Sequence, residues 1–84
     1  MSQSGGLAIA EVISVLLARF PNLTWFWDYD LRMRVWHVGW QRDWQDVRYD
    51  GVSSLDERLS VPEALEVVEY EMRARLRNLY YYNM

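Results

Sequence analysis

The chain has 84 residues and contains no cysteine, no lysine and a single histidine, His37. The absence of cysteine excludes disulfides and thiolate zinc sites, and it leaves nucleophilic chemistry to serine, threonine or a carboxylate. We interpret it as typical of an intracellular, cytoplasmic protein, although the absence of cysteine also permits an exported one. All nine basic residues are arginine, a bias that we attribute to the composition of the coding sequence.

Positive charge is also scarce, since twelve acidic residues outnumber the arginines and give a net charge of −3. Nucleic acids and anionic membranes are bound through basic surfaces, so this balance argues against both as the main partner. The apolar run from Leu7 to Phe20 is interrupted by Glu11, Ser14 and Arg19, and it is too short to span a bilayer. It predicts a buried helix and no membrane association.

Aromatic residues are abundant, with five Trp, six Tyr and two Phe. A chain of this length folds as one domain and needs a dense core, which these side chains can supply. We expect residues 7–84 to form a single compact domain and the polar residues 1–6 to form a disordered N-terminal tail.

Two segments have the features of helices. Helix formers fill Leu7–Arg19 and stop before Pro21. The second helix begins at a capping box, in which Ser60 is the N-cap and Glu63 the N3 residue. Behind it, apolar residues recur at spacings of three and four: Leu65, Val68, Met72, Leu76 and Leu79.

Between the helices, β-formers predict three strands, which are Leu23–Asp28, Arg32–Val38 and Trp44–Tyr49. The connections are predicted at Asp28–Leu31 and Gly39–Asp43, and the segment Val52–Leu59 is predicted to be irregular after a stop at Asp50-Gly51. The expected fold class is therefore α+β, in the order α-β-β-β-α. We expect a three-stranded antiparallel sheet with two helices mainly on one face.

The sequence offers little for catalysis, which needs a positioned nucleophile, an acid and base, or a metal. We interpret His37 as a half-buried imidazole bonded to a neighbour. Asp28 and Asp30 have the local hydrogen-bonding role that is common for Asp in turns, and no glycine-rich phosphate loop is present. We therefore predict no enzyme activity, no metal site and no cofactor.

Strand alternation raises a question about the tryptophans. It places Trp36, Val38 and Trp40 on one face of the second strand together with Arg32 and Arg34, where a sheet covered on one side should be polar. One explanation is a bulge near Gly39, or helices that straddle the sheet, so that every aromatic belongs to the core. The other is an exposed recognition face, because Trp, Tyr and Arg are enriched at binding hot spots.

The second explanation predicts a non-enzymatic protein-binding module: a small inhibitor, adaptor or subunit of the kind often encoded by phages and mobile elements, including viral proteins. Homo-oligomerisation through the sheet face or the first helix is a further prediction. The candidate protein-binding residues are Phe26, Arg32, Arg34, Trp36, Trp40, Arg42, Trp44, Tyr81 and Tyr82.

The alternative is a nucleic-acid-binding domain. The α-β-β-β-α order resembles the topology of the double-stranded RNA-binding domain over most of the chain. That resemblance implies recognition of A-form RNA by shape and by basic residues, notably at the start of the second helix. This position is acidic here, reading Ser60-Val61-Pro62-Glu63-Ala64-Leu65-Glu66. Base stacking on Trp36, Trp40 or Trp44 beside arginines is the remaining route.

Overall fold

A computed structural model describes the backbone of residues 6–44 and 47–82 and the side chains of residues 6–42 and 49–77. The chain forms one α+β domain in the predicted order. Its elements are α1 (Ile9–Arg19), β1 (Thr24–Asp30), β2 (Val35–Trp44), β3 (Val47–Asp56) and α2 (Val61–Tyr82). No helix in this part of the chain is long and apolar enough to cross a membrane.

The sheet is antiparallel, and β2 lies between β1 and β3. Pairing runs without a break from Thr24↔Gln41 to Asp30↔Val35, and from Val35↔Asp56 to Trp44↔Val47. The predicted connection at Gly39–Asp43 is therefore wrong, because these residues continue β2. The predicted irregular segment is wrong from 52 to 56, where β3 continues, and the proposed bulge near Gly39 is absent.

The two strand glycines explain this error, because each lies beneath an aromatic ring instead of breaking its strand. A β-carbon at Gly39 would overlap the ring of Phe26, and one at Gly51 would lie 2.5 Å from Cζ2 of Trp40. Glycine in a strand often marks such a close approach. Both positions therefore stay within the sheet and make room for a neighbouring ring.

Both helices pack on one face of the sheet, which we call the helix-side face. A row of rings crosses it from Phe20 through Trp25 and Trp40 to Tyr49, with successive ring centroids 6.2, 6.1 and 6.5 Å apart. The buried apolar residues around this row are Leu7, Val12, Ile13, Leu16, Val38, Leu55, Ala64, Leu65, Val68 and Met72.

The register places the tryptophans on this face, since Trp40 pairs with Trp25 and Trp36 pairs with Tyr29. Trp40 is completely buried, and Trp36 is half-buried with its ring 5.1 Å from that of Tyr29. The expectation of an open face that carries Trp36 and Trp40 beside Phe26 is wrong. Phe26 lies opposite Gly39 and points to the other side.

The helix ends follow the sequence signals closely. Ser60 and Glu63 form the predicted capping box: Ser60 N–H donates to Glu63 Oε1 at 2.9 Å, and Glu63 N–H donates to Ser60 Oγ at 3.3 Å. Two side-chain contacts then fix α2. Arg19 of α1 pairs with Glu69, and the Tyr49 hydroxyl donates to the carbonyl oxygen of Met72 at 2.7 Å.

Candidate protein-binding surface

The sheet face turned away from the helices, which we call the open face, is built from four cross-strand rows. They are Thr24, Gln41 and Asp50; Phe26, Gly39 and Val52; Asp28, His37 and Ser54; and Asp30, Val35 and Asp56. The second row is apolar, and its two side chains are about half exposed, Phe26 by 46% and Val52 by 53%. We call these two residues the Phe26–Val52 patch.

The fold holds this patch in place. Gly39 lies between its two members on the central strand, and the Phe26 ring covers the space that a side chain at position 39 would fill. An aromatic ring supported in this way offers a large contact area at a low cost in conformational entropy. The patch is therefore a fixed apolar feature in the middle of the open face.

Acidic residues surround the patch. The four rows contain four aspartates and no arginine, and His37 is their only basic side chain. Asp56 accepts hydrogen bonds from Nε and Nη2 of Arg58 at 3.1 and 3.0 Å, and these bonds, with one from the Arg58 backbone N–H, lower the pKa of the Asp56 carboxyl to about 2. Asp28 and Asp50, in the rows on either side of the patch, are exposed. The open face thus combines an apolar centre with negative charge.

His37 connects two of these rows. Its Nδ1 lies 3.0 Å from Ser54 Oγ, and its Nε2 lies 3.4 Å from Asp30 Oδ2. The predicted half-buried, hydrogen-bonded imidazole is confirmed. The backbone N–H of Met33 and the contact with His37 lower the pKa of the Asp30 carboxyl.

Serine, histidine and aspartate side chains thus meet on the open face, a combination that the sequence spacing did not indicate. Acyl transfer also needs preorganised oxyanion donors in a pocket that excludes water. Among the described residues, Ser54 lines neither the depression beside Phe26 and Val52 nor the one beside Arg19 and Glu69. Within those residues, no group of three or more acidic or histidine side chains could hold a metal ion. The contacts among Ser54, His37 and Asp30 hold these side chains in place, but they do not support the assignment of a reaction.

A depression of about 240 Å³ adjoins the patch. Its lining includes Phe26, Val52 and Asp50 from the open face and Arg75 from α2. It therefore reaches from the open face round the β3 edge, where Gly51 contributes no side chain. A second depression, of about 300 Å³, lies between α1 and α2 beside Arg19 and Glu69.

The turn between β1 and β2, residues Leu31 to Arg34, is a second exposed feature, which we call the 31–34 turn. Leu31 is 76% exposed and Met33 68% exposed, and Arg32 and Arg34 are also exposed. Two apolar and two cationic side chains thus alternate at the end of the sheet.

Local hydrogen bonds give this turn a defined shape. Asp30 Oδ1 accepts the backbone N–H groups of Arg32 and Met33 at 3.0 and 3.1 Å. The Arg34 N–H donates to the Asp30 carbonyl oxygen at 2.8 Å, and Arg34 has the left-handed φ of 57°. The Glu57 N–H then bonds the Arg34 carbonyl oxygen at 3.1 Å, which ties the turn to the segment after β3.

The predicted binding residues are therefore divided between surfaces. Phe26 lies on the open face, Arg32 and Arg34 lie in the 31–34 turn, and Arg42 is exposed near the far end of β2 on the helix side. Trp36 and Trp40 belong to the helix-side face, and the side chains of the other three, Trp44, Tyr81 and Tyr82, lie outside the described residues.

Sequence reasoning missed four residues that matter on these surfaces: Val52, Asp50, Leu31 and Met33. Aligning Phe26 with Gly39 across the first hairpin, and Gly39 with Val52 across the second, would have revealed the patch. Comparison of the chain with protein-family models, with curated proteins and with solved structures found no match.

Proposed function

We propose that this chain is a non-enzymatic protein-binding module, an inhibitor, adaptor or subunit, that binds its partner through the open face. The observation that carries the proposal is the Phe26 ring, which is 46% exposed and supported by Gly39 at the centre of a sheet face that neither helix covers. Exposed apolar patches rimmed by polar groups often mark interaction sites. Aromatic residues at the centre of an interface also supply much of its binding energy.

The charges around the patch indicate the chemistry of the partner. Asp28 and Asp50 lie on opposite sides of the Phe26–Val52 patch, each in the row directly next to it. Complementary charge steers association and selects partners. The best fit is a partner surface with an apolar side chain between lysines or arginines, whose apolar group contacts Phe26 and enters the adjoining depression.

The same charges favour a protein over a nucleic acid. A phosphate backbone that approached this face would meet the exposed Asp28 and Asp50, and one that approached the start of α2 would meet Glu63 and Glu66. Phosphate contacts supply most of the non-specific affinity of nucleic-acid-binding proteins. We expect no binding of single- or double-stranded probes in a salt titration, even at low salt, and salt-sensitive binding would support the alternative.

A display experiment tests the proposal. Fragments encoded by the source genome are displayed on phage and selected against the immobilised full-length chain, and each selected binder is then assayed against variants. We expect binders that lose at least tenfold in affinity for Phe26→Ser. They should bind Tyr70→Ser normally, because Tyr70 is an equally aromatic and strongly exposed residue on α2.

Two controls make the result interpretable. Thermal unfolding must show that Phe26→Ser is folded, and Val52→Ser, which removes the smaller member of the patch, must weaken the same binders. Binders that are equally sensitive to Tyr70→Ser, or insensitive to both patch variants, would contradict the proposal.

A further inference from the structure

We propose that one partner of the open face is a second copy of this chain, whose 31–34 turn docks on the Phe26–Val52 patch. The inference rests on the proposed function, because it uses the same surface and names its occupant. It is carried by the complementarity between two surfaces at different places on one molecule.

The two surfaces match in both polarity and charge. The turn offers two exposed apolar side chains, Leu31 and Met33, to contact Phe26 and Val52. Arg32 lies between Leu31 and Met33, and Arg34 follows them with its Nη1 3.7 Å from Glu57 Oε2. Both arginines are cationic and exposed, whereas the rows beside the patch carry Asp28 and Asp50. Apolar and positive side chains thus alternate in the turn, which offers both the apolar contact and the positive charge that the open face favours in a partner.

The turn cannot reach the open face of its own chain. It connects β1 to β2 beyond the last pair, Asp30↔Val35, so it continues the two strands away from Phe26. The Glu57 N–H bond to Arg34 holds it in that position. Docking must therefore take place between two molecules.

The dimensions of the two surfaces agree. The outer strands of the sheet are about 10 Å apart, and the stretch from Thr24 to Asp28 is about 13 Å long. A four-residue turn that joins adjacent strands, about 4.8 Å apart, fits within this area. Because Asp30 and Glu57 already order the turn, docking loses little backbone entropy. The area is nevertheless well below that of a standard interface of about 1,600 Å², so we expect weak, concentration-dependent association.

The contact joins two different surfaces, so each molecule that donates a turn still has a free open face. Such heterologous contacts produce open chains or closed rings instead of stopping at a symmetric dimer. This property separates the proposal from face-to-face dimerisation, in which the acidic rows of two copies would repel one another.

Sedimentation of the full chain tests the proposal through complementing variants. We expect the average mass of the wild type to rise from the monomer value of 10.1 kDa beyond that of a dimer between micromolar and millimolar concentrations. Phe26→Ser removes the ring on which the turn docks, and the double variant Leu31→Ser/Met33→Ser removes the apolar side chains of the turn. Each variant alone should therefore stay monomeric. An equimolar mixture of the two should form a one-to-one dimer and nothing larger.

Several results would overturn this inference. They are a monomeric wild type at millimolar concentration, a mixture that stays monomeric, or a turn variant that associates as well as the wild type. The last result would indicate symmetric association through the faces. Displayed fragments that still bind in a Phe26-dependent manner would show that only the self-docking inference had failed, whereas their absence would count against the proposed function itself.

Discussion

The ring of Phe26 lies over Gly39 of the neighbouring strand and fills the space that a side chain there would need. This relationship explains why glycine stands in the middle of a central strand. It also explains how an aromatic ring stays in a fixed place on a face that no helix covers. A second glycine, Gly51, has the same relationship to Trp40 on the opposite face.

The two glycines predict different outcomes for the same substitution. Gly39→Ala displaces an exposed ring that can rotate into solvent, and alanine loses less entropy than glycine on folding, so the free energy of unfolding should change by less than about 1 kcal/mol. Gly51→Ala pushes against the buried Trp40 ring, and overpacking of this kind costs about 1–3 kcal/mol. Urea unfolding of both variants measures the difference.

For binding we expect the opposite, with a larger effect of Gly39→Ala than of Gly51→Ala. Gly39→Ala moves the Phe26 ring and should weaken Phe26-dependent binders nearly as much as Phe26→Ser does. Gly51→Ala should leave them largely unchanged once the variant is folded. If Gly39→Ala binds normally, the position of the ring is not what the partner recognises.

The burial of Trp40 makes a second prediction. Trp40→Ala should lower the free energy of unfolding by about 3–5 kcal/mol, as is usual when a large buried aromatic residue is removed. Trp27→Ala, at a half-exposed position on the same face, should cost less than about 1.5 kcal/mol. Equal losses in urea unfolding would contradict the assignment of Trp40 to the core.

A third variant separates volume from polarity. Trp40 Nε1 is buried, and no acceptor among the described residues meets it in full hydrogen-bonding geometry. Trp40→Phe should therefore cost clearly less than Trp40→Ala, because most of the ring volume is kept.

The helices were the most predictable part of the fold. The capping box at Ser60 and the stop before Pro21 are local signals, and a local signal can be read without knowing what packs against it. The element order followed from them and from the β-formers between them. The second strand begins later than predicted, at Val35, because residues 31–34 form a turn that hydrogen bonds to the Asp30 side chain stabilise.

The surfaces were less predictable because they depend on register. Glycine and paired serines favour a break in a strand when they are considered alone, yet Gly39, Gly51, Ser53 and Ser54 all lie within strands. Alternation correctly separates the two faces of one strand, but it does not say which face of the next strand joins them. Without the register, the sequence predicts the wrong sheet face for Trp36 and Trp40.

Asp56 predicts a pH dependence of stability. Arg58 lowers the pKa of this carboxyl to about 2 in the folded chain, below the value of about 3.9 for an unfolded Asp. A lowered folded-state pKa contributes stability above the unfolded value, and this contribution is lost as the pH falls from about 4 through about 2. The Glu63 and Asp30 carboxyls shift in the same direction, so the wild type should lose stability with acid.

Removing either Asp56 or Arg58 should make the free energy of unfolding depend less steeply on pH. Asp56→Asn and Arg58→Ala should each make the free energy of unfolding fall less between pH 5 and pH 2 than it does in the wild type. Urea unfolding at several pH values measures the slope. If both variants keep the wild-type slope, the Asp56–Arg58 contact does not contribute to stability in solution.

Mapping of a bound partner by NMR tests the central claim, that recognition takes place on the open face. The tightest selected fragment is titrated into the isotopically labelled chain, and the amide and methyl shifts are followed. We expect the largest changes in the Phe26–Val52 patch and in Asp28, Gly39 and Asp50, with small changes on the outer surfaces of α1 and α2. Changes concentrated on the helices, with Phe26 and Val52 unaffected, would contradict the account.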